Sequence, residues 1–382
     1  MKFAHLSDCH LGGWREQELK ELNFQSFKYA LDECKKEKVD FILIAGDLFD
    51  SAYPPIDILK ETFREFRKVK EAGIPVFLIA GSHDYSAAGK TFLDVLEKAG
   101  FCKNVSIFEE RDGKIILQPT IYNHCAIYGY PGKKTNLEIE EINRIKLQDS
   151  PGLFKILMLH TQIRDAIGTL PIDSVNQENL PNSDYLALGH LHINYQKGNR
   201  IYGGPTFPNN ISELEELKGG HFYIFDNGMI KRREIKLKEV FTLNLEVKNA
   251  LNATEEILNA LKKENLKDKL VIIKIQGILK VGKSSDIDFV KIENYLKDTG
   301  AYVMLKSTSR LQTMENDIKS EIINSIQFEA DIIKKFGESN PSKFNSLIPV
   351  LIKTLQLDKT EDEKLYIFED RLISETKKIL SI

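Results

Sequence analysis

The run Phe41-Ile-Leu-Ile-Ala45 is apolar at every position and too short for a buried helix, so it predicts a strand covered on both faces. Such a strand needs a layer on either side. Its surroundings supply the layers. A strand over Lys2–Ser7 precedes a helix over Leu19–Lys36, where Leu22, Phe27, Ala30, Leu31 and Cys34 keep helical spacing. A helix over Ile56–Ala72, a strand over Pro75–Ala80 and a helix over Gly89–Ala99 follow, then strands over Cys125–Tyr130, Phe154–Leu159 and Tyr185–Leu188. This alternation with short links predicts an α/β layered domain. Asp226-Asn227-Gly228, set between Phe222–Phe225 and Met229–Leu237, predicts a hairpin closed by a type I′ turn.

With 382 residues the chain exceeds one ordinary domain, and 42% hydrophobic with 29% charged residues can fill real cores. The first domain is expected over 1–238. A second unit over 239–305 reads strand–helix–strand–helix–strand, through Phe241–Val247, Ala253–Lys263, Lys269–Gln276, Asp286–Lys297 and Ala301–Leu305. The polar stretch Lys306–Asn316 reads as a linker, and 317–382 as helices only. Apolar faces there run through Ile318, Ile322 and Phe336, through Phe344, Leu351 and Leu355, and through Leu372, Thr376 and Leu380; Thr360 with Glu363 fits a capping box. These helices either dock on the parent body or form a landing site for another protein.

Charge and cysteines narrow the function classes. The balance of 53 basic and 56 acidic residues excludes nucleic-acid binding by bulk charge and leaves a local patch or a partner. Cys9, Cys34, Cys102 and Cys125 are scattered, without the spacing of a zinc-thiolate site or a disulfide framework, and are expected to be reduced. No window approaches the roughly 20 apolar residues of a membrane span, and the polar start suits no signal peptide. A soluble, cytoplasmic protein is expected.

Five of the eight His, with two Asp, fall where predicted strands end. Asp8 and His10 follow the first strand and Asp47 the second; His83 follows the third, within Gly81-Ser82-His83-Asp84; His160 and then Gly189-His190-Leu191-His192 end later ones. In a parallel α/β sheet these ends share one edge, where such folds bind ligands. Singly each is a common turn or a surface group; together they predict a metal site. Carboxylate and imidazole donors without thiolate suit Mn²⁺, Fe²⁺ or Zn²⁺. With one carboxylate shared, they can hold two ions about 3.5–4 Å apart, a pair suited to phosphoester hydrolysis. His5, His124 and His221 lie outside the pattern and are read as structural.

The order D-x-H, G-D, G-N-H-[DE], H, G-H-x-H resembles that of the calcineurin-like metallophosphoesterases over residues 1 to about 235. Asp8-Cys9-His10-Leu11-Gly12 and Gly46-Asp47-Leu48-Phe49-Asp50 are similar to the meiotic-recombination-eleven family of DNA double-strand-break repair nucleases and to its bacterial counterpart SbcD. The resemblance implies a layered metallophosphoesterase sandwich, a small α+β capping domain that contacts DNA, and C-terminal helices that bind a Rad-fifty-type ABC ATPase. It implies two Mn²⁺ per chain, a homodimer, and 3′-to-5′ exonuclease with endonuclease activity at DNA ends. By motif, Asp8, His10 and His192 would hold one metal, Asp47 would bridge, and His160 and His190 would hold the second. His83 would stabilise the transition state or protonate the leaving 3′ oxygen, while Asp84 would either orient His83 or serve as a turn carboxylate.

Where the family has Asn, this chain has Ser82, a shorter and poorer ligand. A weakened or absent second metal and reduced nuclease activity are therefore expected. A small-molecule phosphodiesterase or phosphatase, and a scaffold with a vestigial site, are the rival readings. Lys231, Arg232, Arg233, Lys280 and Lys283 are candidate phosphate contacts, and Leu59–Phe66 or Phe92–Leu96 candidate dimer helices.

Overall fold

The structure, a computed structural model, describes residues 1–86, 91–313, 345–355, 357 and 365–380. It divides into two compact units, Met1–Thr313 and Met314–Ile382.

Two six-stranded sheets face each other in the first unit. One runs in the order Met229–Ile235, Gly220–Asp226, Lys2–Leu6, Phe41–Ala45, Val76–Ile79, Lys103–Asn104. The other runs Gln196–Lys197, Arg200–Tyr202, Tyr185–Gly189, Phe154–His160, Cys125–Tyr130, Thr120–Tyr122. The apolar run at 41–45 shows why both layers are needed. Phe41, Leu43 and Ala45 pack between the sheets with Phe3, Phe77, Ile127, Met158 and Ala187. Ile42 and Ile44 point the other way, onto Phe27, Leu31, Phe66 and Val69 of the helices Gln17–Lys36 and Ile56–Glu71. The strand thus buries both of its faces, as period two requires. At the hairpin, Asp226 pairs with Met229, and Asn227 and Gly228 both take positive φ (48° and 90°), as a type I′ turn demands.

The layered α/β sandwich expected from the sequence is present. The strand ends, however, belong to two sheets rather than one. Lys2–Leu6, Phe41–Ala45 and Val76–Ile79 lie parallel in the first, while Phe154–His160 and Tyr185–Gly189 lie parallel in the second.

A three-stranded parallel sheet, Val240–Glu246, Leu270–Leu279 and Val303–Thr313, covers one face with the helices Ala250–Leu261 and Phe289–Asp298 around Ala253, Ile257, Ile273, Ile275, Ile292 and Leu296. Its other face presents Leu270, Ile272 and Leu305 to Trp14, Leu19, Leu22, Phe207 and Leu214 of the sandwich. This apolar contact joins both parts into one compact unit. The sequence boundary near 238 falls between Ile235 and Val240, where the sheets change.

The expected linker over 306–316 is corrected in part, because Lys306–Thr313 continues a strand. Ile273 pairs with Lys306 and Leu279 with Thr313, across an irregularity between Lys274 and Gln276. An edge strand exposing much of its length needs few apolar residues, so its polar composition read as linker.

In the second unit the helices Ile348–Leu355 and Leu365–Leu380 pack on each other. The face through Ile318, Ile322 and Phe336 and the capping box of Thr360 and Glu363 lie outside the described residues.

Candidate metal centre

The loops after the first two strands run side by side. Asp8 N donates to Gly46 O and His10 N to Asp47 O, each at 3.0 Å. Asp8, His10 and Asp47 adopt left-handed φ of 52°, 43° and 51°, and His190 reaches 99°. A non-glycine residue at such an angle costs about 1–3 kcal/mol and persists where surrounding structure enforces it. Four such residues, all carboxylates or imidazoles on the three loops after Lys2–Leu6, Phe41–Ala45 and Tyr185–Gly189, mark a functional site. Glycines let the two sheets close on them. A Cβ on Gly46 would lie 2.2 Å from His160 Nδ1, and one on Gly189 2.0 Å from Ala45 O.

Four imidazoles each have Nδ1 tied to an oxygen. His160 bonds Ala45 O at 2.9 Å, His192 bonds Glu213 Oε2 at 2.9 Å, His10 bonds Asp50 Oδ1 at 3.1 Å, and His83 bonds Asp50 O at 2.9 Å. An acceptor on Nδ1 places the proton there and leaves Nε2 with its lone pair, the arrangement of a metal-binding histidine. His10 Nε2 and His192 Nε2 face each other at 3.1 Å. Two nitrogens each about 2.0–2.1 Å from one ion stand about 3.0–3.4 Å apart, so this spacing suits a shared cation. His160 Nε2 is buried without a hydrogen-bond partner, 3.2 Å from Asp47 Oδ2. That same oxygen lies 3.6 Å from His10 Nε2 and accepts from Ser82 Oγ at 3.3 Å. Asp47 Oδ2 therefore stands between His10 and His160, and two donor groups, Asp8–His10–His192 and Asp8–Asp47–His160, each with atoms inside 4.8 Å, share Asp8. Asp8 is held by Ser7 Oγ at 2.5 Å and by His190 N at 2.9 Å. His190 lies edge-on to His160, ring centroids 5.2 Å apart.

The electrostatics ask for positive charge. Burial alone would raise Asp47, but His160, His10 and His83 outweigh it and hold the carboxyl well below its usual range. Burial works against a charged His160, yet Asp47 and Asp8 push it up to about 10. His190, buried and beside His160, is pushed down to about 4. A cluster that draws a proton so strongly onto one buried imidazole is one a divalent cation can satisfy, and the donor set fits Mn²⁺, Fe²⁺ or Zn²⁺.

Asp8, His10, Asp47, Ser82, His83, His160, His190 and His192 thus converge. Asp84 does not join them as a partner of His83. It is buried, and its oxygens accept from the amides of Leu48, Phe49 and Gly81 at 3.0–3.1 Å, so the turn role is the one realised. Burial and the nearby Asp47 raise it to about 6. The residue that fixes His83 is Asp50. Neither Asp50 nor Glu213 was singled out from sequence. Asp50 carried a signal, three positions after Asp47, whereas Glu213 sits in the helix Ile211–Leu217 with no motif around it. His5 and His221 are buried in the fold and His124 is exposed, away from the cradle.

Loops carrying carboxylates and imidazoles at the meeting of two sheets are the build of a metal-dependent phosphoesterase. The calcineurin-like phosphoesterase domain matches residues 1–194, and the chain belongs to that family. Within it the motif-level resemblance to the meiotic-recombination-eleven branch is matched by relatives. The DNA double-strand break repair protein Mre11 of Methanococcus maripaludis is 26% identical over 96% of this chain and 98% of its own length. Mre11 of Sulfurisphaera tokodaii is 30% identical over 67% of each. Mre11 of Methanosarcina acetivorans is 27% identical over 82% of this chain and 51% of its own, so the chain spans about half the length of that relative.

Proposed function

We propose that this chain is a DNA phosphodiesterase, a Mn²⁺-dependent double-strand-break repair nuclease with 3′-to-5′ exonuclease and endonuclease activity. The observation that carries the reading is Asp47 Oδ2, set between His10 Nε2 and His160 Nε2, two histidines that each have Nδ1 committed elsewhere. Asp8, His10 and His192 would hold one cation and His160, His190 and Ser82 the other, with Asp47 shared. Bound there, two divalent cations polarise the scissile phosphate and lower the pKa of a water. The protein's own groups do the rest. Asp8, fixed by Ser7 and the His190 amide, keeps its carboxylate aimed at the cradle. His83 is half-exposed, and its Nδ1 lies 2.9 Å from Asp50 O, an anchor that would leave Nε2 for the substrate. From there it would stabilise the transition state or give the leaving oxygen a proton as water adds to phosphorus and the P–O bond breaks.

The strand–helix unit over 240–313 would touch DNA and the helices of 345–380 would take a Rad-fifty-type ABC ATPase. Exposed Lys231, Lys280 and Lys283 are better placed for phosphates than Arg232 and Arg233, which pair with Glu234 and Glu37. In a homodimer, Ile56 and Val95, 83% and 46% exposed, would meet the partner, since Leu59, Phe66, Leu93 and Leu96 fill the core.

The test is Mn²⁺-dependent cleavage of linear duplex DNA beside hydrolysis of a cyclic nucleotide. Cleavage of DNA ends, abolished in Asp47→Asn, supports the reading. Cyclic-nucleotide hydrolysis with intact DNA establishes the small-molecule rival, and inactivity on both establishes the scaffold. Co-purification with the ATPase, lost on removing 317–382, tests the partner.

A further inference from the structure

The sheet of Val240–Glu246, Leu270–Leu279 and Val303–Thr313 ends at its third strand, and a cavity of about 510 Å³ lies beside the start of that strand. It is lined by residues 301–305, by Phe289 and Val290 of the helix Phe289–Asp298, and by Glu16 and Glu18 from the turn that opens the helix Gln17–Lys36. An edge strand exposes backbone N–H and C=O groups that another strand can pair with, and proteins guard such edges with charge. This edge is guarded unevenly. Lys306 and Arg310 are exposed in its later part, whereas 301–305 carries no charged residue. The cavity runs along this bare stretch as far as Lys306, and Val290 beside it is 68% exposed.

The charges around the groove are sorted by sign. Lys297 pairs with Glu293 at 2.7 Å, and the Lys306 ammonium sits 4.4 Å from the centroid of the Phe289 ring, so both cations are engaged. Glu16 and Glu18 are exposed and form no ion pair among the described residues. The Tyr302 hydroxyl donates to Glu18 O at 3.2 Å, which holds that wall against the strand. The two carboxylates therefore call for a cationic occupant. We propose that the groove takes an extended basic segment of a partner protein, which adds a fourth strand beside 301–305. At about 3.3 Å per residue, the bare stretch accommodates about five residues of that segment. Backbone pairing supplies the affinity, apolar side chains at alternate positions seat on Phe289 and Val290, and Lys or Arg between them meets Glu16 and Glu18. The groove lies outside the metal cradle, and the proposal stands independently of the nuclease reading.

The test uses the full chain and a fluorescent pool of nonapeptides that alternate Lys or Arg with Val, Ile or Thr, beside the same pool N-methylated at every backbone amide. The methylated pool keeps its charge and side chains and loses strand pairing. The plain pool is expected to bind saturably and to slow hydrogen exchange of the amides within 301–305. It should bind Glu16→Gln/Glu18→Gln about fivefold more weakly, the scale of two exposed ion pairs. The methylated pool should not bind. A plain pool that fails to bind, a methylated pool that binds equally well, or unchanged exchange within 301–305 overturns the proposal. Protection of that stretch without peptide, growing with protein concentration, assigns the groove to a second copy of this chain and overturns it likewise. The methylated pool and the exchange measurement decide the matter on the native chain alone.

Discussion

Ser82 donates its hydroxyl to the Asp47 oxygen that stands between His10 and His160, 3.3 Å away. An asparagine there would reach further and offer a carbonyl oxygen, a better ligand for a hard cation. Ser82→Asn should therefore tighten the weaker metal site and raise Mn²⁺-dependent phosphodiester turnover about tenfold; equal turnover in both proteins would dismiss Ser82 as a weakness. Glu213 acts one layer out. Its Oε2 accepts from His192 Nδ1 and also from the Asn209 amide at 2.8 Å, so the carboxylate fixes both the tautomer and the ring angle of His192. Burial would raise this carboxyl, but His192 outweighs burial and holds it low. Glu213→Ala should weaken metal affinity by about 10–100-fold, as removal of such outer partners does. Calorimetric titration with Mn²⁺ reads that change, and unaltered affinity would leave Glu213 a surface helix residue.

At the scale of elements, the site depends on how closely two sheet edges approach. The Phe154–His160 and Tyr185–Gly189 strands pair His160 with Gly189, and Gly189 stands directly over Ala45 O of the opposite sheet. Gly189→Ala would drive a methyl into that backbone carbonyl, 2.0 Å away at the ideal position. Both sheets must part to relieve it, which should lower stability by about 1–3 kcal/mol, the usual scale of overpacking, and loosen His160. A thermal melt paired with a Mn²⁺ titration checks both; an unchanged melting temperature would mean the sheets give way easily.

This approach of sheets also explains how far the sequence could be read. The strands bearing ligands are short and apolar, because they are buried on both faces, and His or Asp at their ends stood out against that background. Which sheet each strand joins was not legible, since a continuous apolar run carries no signature of its neighbours. Lys103–Asn104, Thr120–Tyr122 and Gln196–Lys197 are two or three residues long, too short for any period to show. Glu213 was invisible for a further reason: its role is set by a contact across 21 positions and not by its neighbours in sequence.

For the whole molecule, two buried histidines outside the cradle set an acid limit. His5 and His221 have no accessible surface; His5 Nε2 and both nitrogens of His221 lack partners, and burial drives each imidazole down to about 3. Unfolded, each would titrate near 6.5, so between roughly pH 6.5 and 3 the unfolded chain binds more protons. Stability is then full above that window and falls as pH drops through it, by up to about 5 kcal/mol for each group. His221→Phe removes two unpartnered nitrogens and should flatten the decline of denaturant midpoint across the window, whereas an unchanged slope would assign the acid sensitivity to the carboxylates. The same molecule, with 53 basic and 56 acidic residues, has little bulk attraction for DNA, so the proposed hold on a phosphodiester would have to come from the cradle and its neighbours. Titration of the full chain with Mn²⁺, read by electron paramagnetic resonance of the free ion, should show two sites per chain, the second at least tenfold weaker, with both disturbed in Asp47→Asn. A chain that binds no Mn²⁺, or whose stoichiometry ignores Asp47→Asn, would contradict the account.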